Sequence, residues 1–129
     1  MELTKSEKLL EDLKKAVERL REAVGLEPTR IHKDATIQRF EFTFELAWKL
    51  MYAALQVQGV EAFGPRNVIR QGVQAALIDN PEEWFKFLEL RNLIAHVYKE
   101  QVADEIYEGA KEFPGAVDGL IRKVEEELK

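Results

Sequence analysis

The apolar positions recur every three to four residues along almost the whole chain, which is the period of an α-helix. Leu9, Leu10, Leu13, Val17, Leu20 and Val24 form one such series. Thr4, three residues before Glu7, reads as a capping box that opens the helix, and Gly25 can close it in a left-handed cap. "LEPTR" reads as a turn, and a second helix is expected from near Asp34 to Gly59. It is apolar on more than one face. Phe40, Phe44, Trp48, Met51 and Leu55 make one stripe, and Phe42, Leu46, Leu50 and Ala53 make another. A helix apolar on most sides must be covered on most sides. It belongs at the centre of a bundle, or has one stripe against a second subunit.

Gly64 and Pro65 break the pattern, and Pro65 suits the first turn of a shorter third helix reaching about Leu77. Asn80 as N-cap, Pro81 at the first position and Glu83 at the third open a fourth. A fifth helical region begins around Val102, where Pro114 and Gly115 should kink or split it. No segment alternates apolar and polar like a strand. The expected fold is all-α, an antiparallel up-and-down bundle of five or six helices. At 129 residues the chain suits one domain, 1–129, with a real core.

Composition adds limits. With 46% hydrophobic and 33% charged residues, the chain is of the soluble globular kind. No apolar run approaches the roughly 20 residues that span a bilayer, and the N-terminus lacks the pattern of a signal peptide. Cysteine is absent, which removes disulfides and thiolate chemistry and fits a cytoplasmic address. The net charge of −5 argues against a surface built to coat duplex nucleic acid. A partner protein, a small ligand or a local basic site remains.

Candidate chemistry concentrates in "ELRNLIAHVYKE", residues 89–100. On a continuing helix, Asn92 and His96 lie one turn apart and Arg91 and Tyr98 about two turns apart, so all four polar tips can border one cleft. A histidine takes and gives protons near neutral pH, and an arginine fork matches phosphate oxygens. For RNA, a base at the 2′-hydroxyl and a cation at the phosphorane suffice in principle, without a metal. The plain alternative is a solvent-facing histidine and a half-buried packing tyrosine. Elsewhere, Glu41 and Glu45 are a paired-carboxylate candidate, with Glu45 and Lys49 a favourable pair one turn apart, but they read more simply as partners in salt bridges to other helices or as exposed groups. His32 reads as solvated. Arg66 and Arg70 can extend a phosphate-binding surface or form an ordinary solvated face. The two histidines are too far apart in sequence for metal-ligand spacing, so no metal is expected. Gly-rich phosphate loops are absent, so the chain is not itself a nucleotidyltransferase.

"RNLIAHVY" resembles the Arg–His–Tyr signature of the HEPN superfamily, in particular the HepT-like toxins. "IQRFEFTFELAWK" and "PRNVIRQGVQAALI" are more similar to a sister group, the nucleotidyltransferase substrate-binding proteins. The likeness runs from Asp34 to about Tyr107. It implies a helical-bundle homodimer whose two Arg–His helices meet at a cleft, with a separate minimal nucleotidyltransferase as partner and nucleotide or RNA as ligand. It implies no cofactor. Carried over from the toxins, Arg91, Asn92 and His96 match a metal-independent ribonuclease site, and Tyr98 matches the tyrosine that the partner adenylylates to silence it. In the substrate-binding group the same positions imply a binding module.

Overall fold

A computed structural model of the protein describes residues 4–128. These form six α-helices: α1 (Lys5–Val24), α2 (Arg30–Val57), α3 (Gly64–Gln74), α4 (Pro81–Leu93), α5 (Glu100–Ala110) and α6 (Phe113–Glu127). A short 3-10 turn, Ile94–His96, follows α4. Among the described residues there is no strand.

The capping signals hold where side chains do the capping. Thr4 and Glu7 form the reciprocal capping box at α1. Asn80 accepts from the Glu83 amide at 3.1 Å, with Pro81 at the first position of α4. Backbone caps depart from expectation. Gly25 sits at φ −76°, so α1 ends without a left-handed residue. A left-handed glycine instead follows α2: Gly59 sits at φ +78°, and the Val60 amide reaches back to the Leu55 carbonyl at 2.9 Å. The same closure follows α3, which stops at Gln74, short of Leu77. There Ala76 takes the left-handed position at φ 60°, and the Leu77 amide bonds the Gly72 carbonyl at 2.9 Å. Helix α2 also starts earlier than Asp34. Thr29 caps it by accepting from the His32 amide at 3.1 Å, which adds a turn carrying Arg30 and Lys33.

That added turn ties α2 to α5. Arg30 donates to Glu100 at 3.0 Å and to Asp104 at 3.2 Å, and Lys33 pairs with Asp104 at 3.1 Å. Helices α1 and α2 run antiparallel, because Arg39 donates to the Arg19 carbonyl while Ser6 lies beside Ala54 and Val57. So do α1 and α6, through Lys14 with Glu125 and Arg21 with Asp118. The split expected at Pro114 occurs just before it, between Ala110 and Phe113.

Helix α2 is central, as its apolar faces require. Phe40, Phe44, Leu50, Met51 and Leu55 are fully buried, and one continuous apolar cluster draws on all six helices. The two buried polar side chains of α2, Thr36 and Thr43, donate to the carbonyls of His32 and Arg39 one turn back, so neither hydroxyl is orphaned. The second stripe is not uniformly core: Phe42 and Leu46, like Trp48 of the first, are half-buried.

Helices α4 and α5 approach closely at Gly109. A Cβ built there would lie 2.1 Å from Leu90 Cδ1, and Leu90 is itself buried. Gly109→Ala therefore forces Leu90 to swing within a packed core. Overpacking of this kind costs about 1–3 kcal/mol, against less than about 1 kcal/mol gained in helix propensity. A lowered urea midpoint is expected, with Arg91 displaced next door. A midpoint at or above wild type would mean that Leu90 has room to move.

Candidate functional site

The helix carrying the Arg-to-His segment stops within it. Helix α4 ends at Leu93, and the chain tightens into the 3-10 turn before Val97 and Tyr98. The continuous α-helical spacing expected between Asn92 and His96, and between Arg91 and Tyr98, is therefore broken. Arg91 and Asn92 stay on α4, while His96 and Tyr98 sit on the turn toward α5.

Arg91 and Asn92 line an open groove of about 930 Å³ along α2, with Gln38, Glu41, Phe42, Glu45, Leu46, Ile94 and Ala95. Arg91 is held by two fixed partners. Its Nε donates to Glu45 Oε1 at 2.7 Å, and its Nη1 donates to Asn92 Oδ1 at 3.0 Å. The guanidinium carbon stands 5.8 Å from the Phe44 ring centre. Trp48 Nε1 donates to the second Glu45 oxygen at 3.0 Å. One carboxylate thus orients both an arginine and a tryptophan, and Nη2 of Arg91 makes no hydrogen bond among the described residues.

Of the roles open to the two glutamates, Glu45 takes the inter-helix salt bridge and Glu41 is exposed. The part of Glu45 in setting the arginine was not anticipated. The available signal was the polar series Gln38, Glu41 and Glu45, which runs one turn at a time along an otherwise apolar helix.

Burial alone would raise the Glu45 carboxyl. Hydrogen bonds from Arg91 and Trp48, with the charges of Arg91 and Lys49, outweigh it and hold the group below the ordinary glutamate range. A depressed folded-state pKa contributes stability that is present above the unfolded value, near 4.3, and is lost as pH falls through the folded one. The difference in urea midpoint between wild type and Glu45→Gln should therefore be clear at pH 7 and shrink as pH falls below about 4.3. A difference unchanged with pH would mean that the carboxylate's charge has no role.

His96 and Tyr98 make a separate pair, with ring centres 6.4 Å apart and edge to face. Both are exposed, Tyr98 at 76% of its surface, so the half-buried packing tyrosine is not what forms. Lys99 lies 5.9 Å from the Tyr98 ring centre. Neither His96 nor Tyr98 lines the Arg91 groove, although Ile94 and Ala95 connect the two places. Arg66 and Arg70 are exposed on α3 outside that groove, Arg66 stacking 5.4 Å from the Phe85 ring centre. His32 is half-buried, its Nδ1 2.6 Å from the Glu27 carbonyl, which fixes it to the α1–α2 connection.

The described residues thus form an all-helical bundle with an arginine-bearing groove along its central helix. Residues 3–126 match the model of the family described as nucleotidyltransferase substrate binding protein like, and the chain belongs to that family. A protein from Thermus thermophilus shares its structure, with a TM-score of 0.79 and 30% identity, over 84% of this chain and 94% of that one. A Haemophilus influenzae protein, described as revealing the fold of a substrate binding domain of a nucleotidyltransferase, superposes with a TM-score of 0.69. It covers 93% of this chain and 96% of that one, and at 22% identity it supports the fold alone. A curated relative, "Probable ribonuclease HepT" of Haemophilus influenzae, is 29% identical over 82 residues, 60% of this chain. The match spans 56% of that relative's length. No described helix is long and apolar enough to cross a membrane.

Proposed function

We propose that the chain is the substrate-binding subunit of a separate minimal nucleotidyltransferase, holding a phosphate-bearing ligand, nucleotide or RNA, at Arg91, Asn92 and His96. The carrying observation is the Arg91 clamp. Glu45 and Asn92 take Nε and Nη1 of the guanidinium, Nη2 has no hydrogen-bond partner among the described residues, and Arg91 lines the groove. A pre-oriented fork loses less freedom on meeting a phosphate than a free side chain does. A homodimer is part of the reading: half-buried Phe42, Leu46 and Ile94, with exposed Ala95, give the groove apolar walls that a second copy can close, bringing a second Arg91 to the cleft.

The test is titration of ATP and of a short single-stranded RNA into wild type, Arg91→Lys and Arg91→Ala, with the assembly mass measured by sedimentation. A charge-assisted hydrogen bond is worth about 1.5–3 kcal/mol, so Arg91→Ala should bind roughly 10- to 100-fold more weakly. Arg91→Lys, with charge but no fork, should fall between. Unchanged affinity in both variants would end the reading, and a monomer at micromolar concentration would remove the composite cleft.

A second reading is favoured by His96, an exposed imidazole one 3-10 turn beyond the arginine, and by the relative named as a probable ribonuclease. In it, His96 removes the RNA 2′-hydroxyl proton, the 2′-oxygen attacks the adjacent phosphorus, and the 5′-oxygen leaves as its bond to phosphorus breaks, taking a proton from water. The product is a cyclic phosphate, with Arg91 offsetting charge on the phosphorane. Tyr98, with its exposed hydroxyl, is then the site at which the partner transferase attaches AMP to silence the enzyme, as in a toxin–antitoxin pair.

A further inference from the structure

Beyond the Arg91 groove, the same face of α2 continues into a second, smaller pocket. Gln38, Glu41, Glu45, Trp48 and Tyr52 follow one another at intervals of three and four residues, so they form a single stripe on the helix. The first three line the groove, and the last two line the pocket with Leu9, Phe63, Lys5 and Lys49. From Glu45 to Tyr52 is two helical turns, about 10 Å along the axis. The pocket holds about 360 Å³, room for one planar group rather than for a helix.

Its walls are unusual for a surface. Phe63 caps α3 with 78% of its surface exposed, and its carbonyl is pinned by Asn67 Nδ2 at 2.9 Å. Trp48 has its indole plane set by the hydrogen bond to Glu45. Tyr52 accepts from Gln56 at 3.2 Å. Trp48 and Tyr52 are half-buried, so each leaves part of a π face open beside the exposed Phe63 ring. In a chain of net charge −5, the two charged residues among the pocket's lining are both lysines.

We propose that this pocket is a base subsite: Trp48, Tyr52 and Phe63 stack a nucleobase, and Lys5 and Lys49 meet its phosphate. The inference rests on the phosphate reading of Arg91, because the base seated here belongs to a nucleotide adjacent to the one whose phosphate Arg91 holds. Any base presents a π face, so aromatic stacking is tolerant of sequence, and lysines at the rim track a backbone without reading it. The ligand is therefore single-stranded RNA or a nucleotide, not a duplex, whose bases are already stacked. A second copy of the chain fits the pocket less well. A stable interface buries roughly 800 Å² on each partner, far more than a one-ring recess offers. Glu45 joins the two sites physically, since its two oxygens take Arg91 and Trp48.

The experiment uses the full chain and two fluorescein-labelled probes: a single-stranded RNA pentamer, and the same ribose-phosphate backbone with every base removed. Binding is read by anisotropy, assembly mass by sedimentation and fold by circular dichroism. The intact pentamer is expected to bind at least about tenfold tighter than the abasic one. Trp48→Leu and Phe63→Ala should each bring the intact pentamer down toward the abasic value; the second touches an exposed residue and leaves folding alone. Arg91→Ala should weaken both probes alike. Equal binding of the two probes with Arg91→Ala still damaging overturns the base subsite and spares the phosphate reading. Equal binding with Arg91→Ala silent overturns both. A change of assembly mass in Phe63→Ala, with RNA affinity unchanged, overturns the proposal and assigns the face to a second copy.

Discussion

Phe113→Ala should cost about 3–5 kcal/mol of unfolding free energy, the typical loss for a buried phenylalanine truncated to alanine. The upper part of that range is expected here, because Phe113 is where four aromatic rings meet. Its ring centre lies 4.7 Å from that of Phe87, 5.2 Å from Phe40, 5.4 Å from Trp84 and 5.9 Å from Phe44. Three of those contacts are edge to face, a geometry that adds to simple area burial. The residue also begins α6, so the cavity opens where that helix joins α2 and α4. A domain of this size has only about 5–15 kcal/mol in all, so the variant loses roughly a fifth or more of its stability. Urea unfolding followed by circular dichroism measures it. A loss under about 1.5 kcal/mol would show that the neighbouring rings collapse into the space.

On the ribonuclease reading, His96→Ala should abolish RNA cleavage while leaving the fold alone. The side chain is exposed on the 3-10 turn, and its ring makes its one aromatic contact with Tyr98, so its removal opens no cavity. Losing one general acid–base group commonly costs about 10²- to 10⁴-fold in rate. Cleavage should persist in chelator, and the products should carry a cyclic or 3′ phosphate. Urea midpoints within experimental error and a collapsed rate together support the reading. Equal cleavage by wild type and His96→Ala would trace the activity to a contaminant and leave the binding module standing. Arg91→Lys then serves as the companion: it keeps the charge near the phosphorane but loses the fork that Glu45 and Asn92 set.

The helices were legible because their signals are local and strong. Asn80, Pro81 and Glu83 announce α4, and Thr4 with Glu7 announce α1, through hydrogen bonds spanning three residues. The centrality of α2 was legible from two apolar stripes on one helix. What failed depended on partners distant in sequence or on backbone alone. Nothing local distinguishes Thr29 from Asp34 as the start of α2; the earlier turn is held by Glu100 and Asp104, seventy residues on. Ala76 carries no glycine-like mark, yet the closure of α3 puts it in the left-handed region. The break after Leu93 has no proline or glycine to betray it, so the Arg-to-His spacing looked helical when it is not. The candidate residues were legible in the sequence; the geometry that sets Arg91 and Asn92 in one groove and leaves His96 and Tyr98 outside it was not. Glu45 lies forty-six positions before Arg91, and only the packing of α4 on α2 brings them together.

The two tryptophans differ in a way that makes the molecule its own spectroscopic reporter. Trp84 is buried among Phe87 and Phe113, while Trp48 stands half-open at the surface with its indole N–H on Glu45. A dissolved collisional quencher such as acrylamide should reach Trp48 in the native state and Trp84 only after unfolding. The blue-shifted, unquenched part of the emission then follows global denaturation. The red-shifted, quenchable part follows events along the exposed face of α2, including any change at Arg91 that releases or tightens the shared carboxylate. Folding and occupancy become two separable signals in one spectrum, with no label attached.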